Sequence, residues 1–189
     1  YYLSFFFNNL SYLSTYCYFV VREGGTLTHS PNNDSEDYRL YVNADIFNVV
    51  TGGLVNVTGR GFAQGAGNGT GAFGGHSAGG GGYGGDGGNS SEGTLGGTLY
   101  GNATHPRNLG SGGGTNGFVH QSGSGGGAIE VDATTVNING TVSADGMYSD
   151  WSSGGGGGGS GGSVYVTAGV VIMNGNISAN GGNGTTGGG

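Results

Sequence analysis

The chain has 189 residues, of which 51 are glycine and only 33% hydrophobic, with a net charge of −7. Its basic residues are the scattered Arg22, Arg39, Arg60 and Arg107, so a basic patch for nucleic acid or an anionic membrane surface is excluded, as is every lysine-dependent chemistry. Glycine offers no side chain to bury, so any core is narrow and elongated, and two prolines without a G-X-Y period exclude collagen.

Residues 1–21 hold nine of the 20 aromatic residues. Ser4, Asn8, Asn9, Ser11, Ser14 and Thr15 interrupt the apolar run, so it does not read as a membrane span. Leu3, Phe6, Leu10, Leu13, Cys17 and Val20 fall at amphipathic-helix spacing, whereas the density of Tyr, Phe and Val favours strand; both readings stand. Either way so many aromatics need a partner surface, and these six residues are the candidates for assembly with another copy of the chain. Residues 1–23 are therefore expected to form a hydrophobic N-terminal assembly arm, and residues 24–189 a second unit. Cys17 is the one cysteine, which rules out an intrachain disulfide.

After a turn-rich stretch with Gly24, Gly25 and Pro31, residues 40–59 form a weak copy of a motif that returns later. Residues 60–125 are a glycine-rich insertion. Phe62, Phe73, Tyr83, Leu95, Leu99, Tyr100, Leu109 and Phe118 punctuate it, which suggests extended glycine runs packed side by side and anchored by apolar residues, rather than a flexible linker.

Residues 126–146 and 161–181 align without a gap at an offset of 35, with 10 identities in 21 positions. Within each copy the apolar residues alternate, as in Ile129-Glu130-Val131-Asp132-Ala133, and Asn139-Gly140 marks a turn. In the third copy Leu40, Val42 and Ala44 match Ile129, Val131 and Ala133, and Val55 matches Val142 once two residues are inserted at the turn. A repeat of this length predicts stacked rungs. The expected fold is all-β, a right-handed parallel β-helix with long glycine-rich loops, its rungs near 40–59, 126–146 and 161–181.

The rungs GGGAIEVDATTVNINGTVSADG and GGSVYVTAGVVIMNGNISANGGNG, with NVTGRGF and GGGGYGGDGG, resemble the glycine-rich β-solenoid segments of large secreted surface and adhesin-like proteins. The resemblance covers about residues 38–189 and implies a parallel β-helix with an extracellular structural or adhesive role. It carries over no catalytic motif. The insertion is also similar in composition to domains that pack polyglycine II helices.

Nine of the 18 asparagines open N-x-S/T sequons: Asn9, Asn33, Asn56, Asn68, Asn89, Asn102, Asn139, Asn176 and Asn183. That excess points to a secreted or cell-surface chain carrying N-linked glycans. Asn139 and Asn174 could instead stack as an amide ladder.

Catalytic signals are weak. Glu130 and Asp132 share an outward face, but Tyr165 and Thr167 occupy their places one rung on, so no acidic cluster builds. Gly81 to Asp86 matches only the start of a calcium nonapeptide, the glycine run 154–159 lacks strand-turn-helix context for a dinucleotide, and His29, His76, His105 and His120 lack metal spacing. The reading is a non-enzymatic structural subunit without catalytic, cofactor or metal site. It would build an extracellular glycosylated filament or surface layer head-to-tail from copies of itself. An adhesin or carbohydrate-binding module using Tyr148, Trp151 and Tyr165 is the alternative.

Overall fold

In the computed structural model the offset between the two best repeats is the register of a parallel β-ladder: Ile129 pairs with Val164, Val136 with Val171 and Val142 with Ile177. The structure describes residues 4–6, 18–116, 122–150 and 155–185, with the backbone alone for 4–6. These hold nine strands: β1 (Ser4–Phe6), β2 (Tyr18–Val21), β3 (Thr26–Thr28), β4 (Leu40–Val49), β5 (Leu54–Asn56), β6 (Ala128–Ile138), β7 (Thr141–Ser143), β8 (Ser163–Met173) and β9 (Asn176–Ser178). Successive strands go to alternate sheets, one ordered β1-β3-β5-β7-β9 and the other β2-β4-β6-β8.

Each rung is thus a strand of the β2–β8 sheet followed by a short strand of the other. The weak copy at 40–59 lies beside the second copy as the repeat aligns them: Leu40 pairs with Ile129, Val42 with Val131, Ala44 with Ala133 and Val55 with Val142. A further rung precedes it, with Phe19 opposite Phe47, Val21 opposite Val49 and Leu27 opposite Val55. This rung is not legible in the repeat, because Phe19 and Val21 sit in an aromatic run whose pattern fits helix as well as strand.

The apolar columns face one another across the two sheets and close a single core, which includes Val42, Phe47, Val49, Val55, Val131, Val136, Ile138 and Val142. Alternation slips once in each long strand. In β4 Leu40, Val42 and Ala44 are buried, Asp45 and Ile46 both turn away from the core, and Phe47 and Val49 are buried again. β6 repeats the slip at Thr134-Thr135, so the corner stacks rung on rung.

The right-handed parallel β-helix expected from the repeat does not form. Two open parallel sheets are present, not a closed strand-built coil, because the segments that would close each turn are glycine-rich and hold no strand: between β5 and β6 and between β7 and β8 the described residues offer only the isolated bridges Gly74–Asn116 and Ser77–Gly155. Glycine brings no side chains to a pleated face, so these segments satisfy their backbones by another geometry.

That geometry has a period of three. Gly79 and Gly82 donate to the segment at Ala72 and Gly69, while Gly80 between them donates to Gly88 and Gly81 to Gly158. Likewise Gly123 and Gly126 donate to Gly157 and Ser160, and Gly159 and Gly162 to Met147 and Ala144. Bonds to a given neighbour return at every third residue, as three residues per turn require of a polyproline II-type helix. The described residues of the insertion, together with the glycine run at 155–162, therefore form a bundle of polyglycine II-like chains joined to the sheets. Close approach demands glycine: a Cβ at Gly97 would overlap the Gly69 carbonyl oxygen.

Only some of the expected anchors hold this bundle. Phe62, Tyr83 and Leu109 are buried, and Tyr100 stands edge-on to Tyr83 at 5.0 Å and donates its hydroxyl to the Leu109 carbonyl. Phe73, Leu95 and Leu99 are exposed, and Phe118 lies outside the described residues.

Candidate functional site

The most distinctive surface is the terminal rung, β8 with β9. In the column Phe47–Val136–Val171 the first two residues are 1% and 0% exposed, but Val171 is 53% exposed; in Val49–Ile138–Met173 the last member is 56% exposed. No strand among those described covers the outer edge of β8.

The opposite face of the same strand is apolar too. Val170 and Ile172 occupy columns filled on β6 by Thr135 and Asn137, and they are 52% and 45% exposed. A strand apolar on both faces has the composition of one buried on both sides. At the other end of the sheet β2 exposes Tyr18 and Val20 in those same outward columns, while Phe19 packs at 5.7 Å against Phe47.

Polar ladders tie the terminal rung to its neighbour. Asn174 Nδ2 donates to Asn139 Oδ1 at 3.0 Å, so the amide ladder forms. Asp145 accepts from Ser143 Oγ, Ser178 Oγ and the Asn180 backbone N–H. Burial alone would raise its carboxyl pKa, but these hydrogen bonds outweigh it and hold the pKa below the ordinary value.

Of the assembly candidates, Val20 lies on β2 and Phe6 on β1, so the strand reading applies there. Leu3, Leu10, Leu13 and Cys17 lie outside the described residues. Among the sequons, Asn33, Asn68, Asn89, Asn102, Asn176 and Asn183 are exposed, Asn56 and Asn139 are half-buried, and Asn9 lies outside the described residues. The Asn89 and Asn102 side chains accept hydrogen bonds from nearby backbone amides, of Gly96 and of Thr104 and His105. The Asn56 sequon runs into the fully buried Val57, a constraint invisible to a three-residue motif.

Glu130 has a basic partner distant in sequence. Arg107, from the glycine-rich insertion, forms a 2.7 Å ion pair with it and lies 5.2 Å from the centre of the Tyr165 ring. His105 approaches the same ring at 5.5 Å. Glu130 is thus paired, and Asp132 is an exposed strand residue. Asp86 accepts from the Leu99 amide, and no group of three His, Cys, Asp or Glu able to hold a metal exists among the described residues. His29 is buried with its Nε2 unpartnered, whereas His76 and His105 are exposed. Tyr148 is exposed; Trp151 and His120 lie outside the described residues.

No protein-family model, curated protein or solved structure matches the chain. Among the described residues no helix is long and apolar enough to cross a membrane.

Proposed function

We propose that the chain is a non-enzymatic structural subunit of a secreted, N-glycosylated filament or surface layer, of the kind built by glycine-rich surface and adhesin-like proteins, and that it assembles from copies of itself. The observation that carries this reading is β8, whose Val170, Val171, Ile172 and Met173 expose apolar surface on both faces at the outer edge of a parallel sheet. Such edges template further strands unless charge, proline or a cover blocks them. The exposed sequons and the absence of a basic patch fit an extracellular polymer better than an intracellular one.

The adhesin or carbohydrate-binding reading ranks below it, because the Tyr165 ring is engaged by Arg107 and His105. Electron microscopy of the purified full chain tests the proposal, with mass spectrometry for glycans. Filaments or sheets with occupied sequons are expected. Particles that remain monomeric at high concentration would sink it.

A further inference from the structure

The outer chains of the glycine-rich bundle leave large apolar side chains bare. Phe73 is 66% exposed, Leu95 64% and Leu99 61%, whereas Phe62, Tyr83 and Leu109 of the same insertion are buried. The bare residues lie on neighbouring chains: the Ala72 amide donates to the Leu95 carbonyl at 3.0 Å, and a Cβ on Gly74 would stand 2.8 Å from Thr94 Oγ1. Phe73, between Ala72 and Gly74, is thus next to Leu95 on the bundle surface. Apolar side chains grouped in this way mark a surface that something covers. A sequon stands at the same place. Residues 86–90 run back along 94–99, with the Gly87 amide bonded to the Gly97 carbonyl and the Ser90 amide to that of Thr94. Asn89 Oδ1 accepts the Gly96 amide at 2.8 Å, which fixes this exposed side chain beside Leu95. Its Nδ2, the atom that an N-linked sugar is joined to, has no hydrogen-bond partner among the described residues, and Ser91, the hydroxyl residue of the motif, is exposed. Elsewhere the sequon asparagine is differently placed: Asn139 is tied into the ladder with Asn174, and Asn56 precedes the fully buried Val57.

We infer that Asn89 carries an N-linked glycan whose first sugar rings lie over Leu95 and Phe73 and cover the apolar surface of the outer bundle chains. The inference rests on the secreted, N-glycosylated reading and adds to it which sequon serves and what the sugar does there. In the transfer, Asn89 Nδ2 bonds to the anomeric carbon of the first N-acetylglucosamine of a lipid-linked oligosaccharide. The bond from that carbon to the lipid pyrophosphate breaks, the pyrophosphate leaves with the electron pair, and one Nδ2 proton passes to a base of the transferase. The other Nδ2 proton stays, and Oδ1 keeps its bond to the Gly96 amide. The sugar suits the surface it meets. A pyranose ring has a face of C–H groups that packs on an aromatic ring such as that of Phe73, and the acetyl methyl group adds apolar surface to set against Leu95. Leu99 lies three residues beyond Gly96, about 9 Å along a polyproline II-type chain, within the span of linked rings. The hydroxyl groups on the outer side of the sugar then face water in place of the bare side chains.

The test uses the full chain secreted from a eukaryotic host, with peptide mass spectrometry for occupancy and anilinonaphthalene sulfonate fluorescence for exposed apolar surface. Ser91→Ala removes the acceptor motif while keeping Asn89 and its bond to Gly96; Ser91→Thr keeps the motif. A glycan on Asn89 is expected in the wild type and in Ser91→Thr, with low dye fluorescence in both. Ser91→Ala is expected to keep the wild-type circular dichroism spectrum and raise the fluorescence severalfold, a gain that adding Phe73→Ser and Leu95→Ser removes. Should Ser91→Ala misfold, enzymatic removal of the glycan from the folded wild type, with and without the two serine substitutions, reads the same difference. A bare Asn89 in a chain whose other sequons are occupied overturns this inference and leaves the glycoprotein reading standing. A chain with no sequon occupied overturns both. An occupied Asn89 whose sugar can be lost without a change in dye fluorescence overturns the cover, as does a gain that persists without Phe73 and Leu95.

Discussion

Ser178 Oγ on the terminal rung donates to the Asp145 carboxylate of the rung before it, at 2.8 Å. The same carboxylate accepts from Ser143 Oγ at 2.7 Å and from the Asn180 amide at 2.6 Å, so one acidic side chain fastens β9 to β7. Asp145→Ala is expected to cost about 1 kcal/mol, because the donors regain water at this partly exposed site. The effect should be read as faster amide exchange confined to β9. The folded pKa lies below the ordinary 3.8, so the contribution is present above that value and fades as pH falls through the lowered one. Unchanged exchange in β9 would show that the rung is held by its apolar contacts alone.

His29 gives a second acid response at higher pH. Its Nδ1 donates to the Ser30 carbonyl at 2.7 Å, and its Nε2 is buried without a partner. Burial, more than the Ser30 bond can offset and aided by Arg60 and Arg39, lowers its pKa from 6.5 to about 4. The unfolded chain therefore takes up a proton first, and stability is lost as pH falls from 6.5 toward 4, by about 3 kcal/mol in all. Urea midpoints from pH 7 to 4 measure this. His29→Leu should be less stable at pH 7 and show a much flatter profile; a profile as steep as wild type would place the response elsewhere.

The polyglycine II-like bundle predicts unequal glycines. A Cβ at Gly97 would overlap the Gly69 carbonyl, and Gly97 itself donates to Gly80 at 2.8 Å. Gly97→Ala is expected to destabilise by about 3 kcal/mol. A Cβ at Gly84 meets nothing within 4 Å, so Gly84→Ala should change stability by less than about 0.5 kcal/mol, with a slight gain from the stiffer unfolded chain. Denaturant titration of the two variants distinguishes a packed bundle from a tolerant linker, in which both changes would be neutral.

The contrast explains what could be read in advance. Rung register was legible because Val131 and Val166, or Val142 and Ile177, are apolar for the same reason: each fills one column of a shared core. The two-residue insertion at the turn was legible too, since Val55 still aligns with Val142. The bundle's period of three left no hydropathy trace, because a glycine donates to Gly88 or to Gly158 with the same absent side chain. Closure into a β-helix does not follow from the rungs: parallel pairing within two sheets leaves open how the glycine-rich segments between them bond. The Arg107–Glu130 pair was hidden by its separation in sequence.

Asn32 was also silent in sequence, looking like one more turn asparagine. It is 3% exposed; its Nδ2 donates to the carbonyls of Tyr38 and Arg60, and its Oδ1 accepts from the amides of Asp37 and Tyr38. Asn32→Ala is expected to cost about 3 kcal/mol, because buried backbone groups lose their partners. Asn32→Asp should recover only part of this, since it keeps the acceptor and loses both donors. Equal stability of Asn32→Asp and wild type would show that water replaces the Nδ2 bonds.

Val136 and Val171 occupy one column and pair directly, yet the first is 0% exposed and the second 53%. Truncating each to alanine therefore measures what covers the terminal rung. Val136→Ala removes two buried methyl groups and leaves a cavity, at about 2 kcal/mol whatever the state of assembly. Val171→Ala in dilute, monomeric protein should cost less than about 0.5 kcal/mol, since its methyl groups already meet water. Under assembling conditions a strand laid on β8 buries Val171, and the same substitution should weaken association by a free energy approaching that of Val136→Ala. Denaturation at low protein concentration and the critical concentration for assembly give the two values. If Val171→Ala leaves the critical concentration unchanged, β8 is not the surface that copies use, however apolar it is.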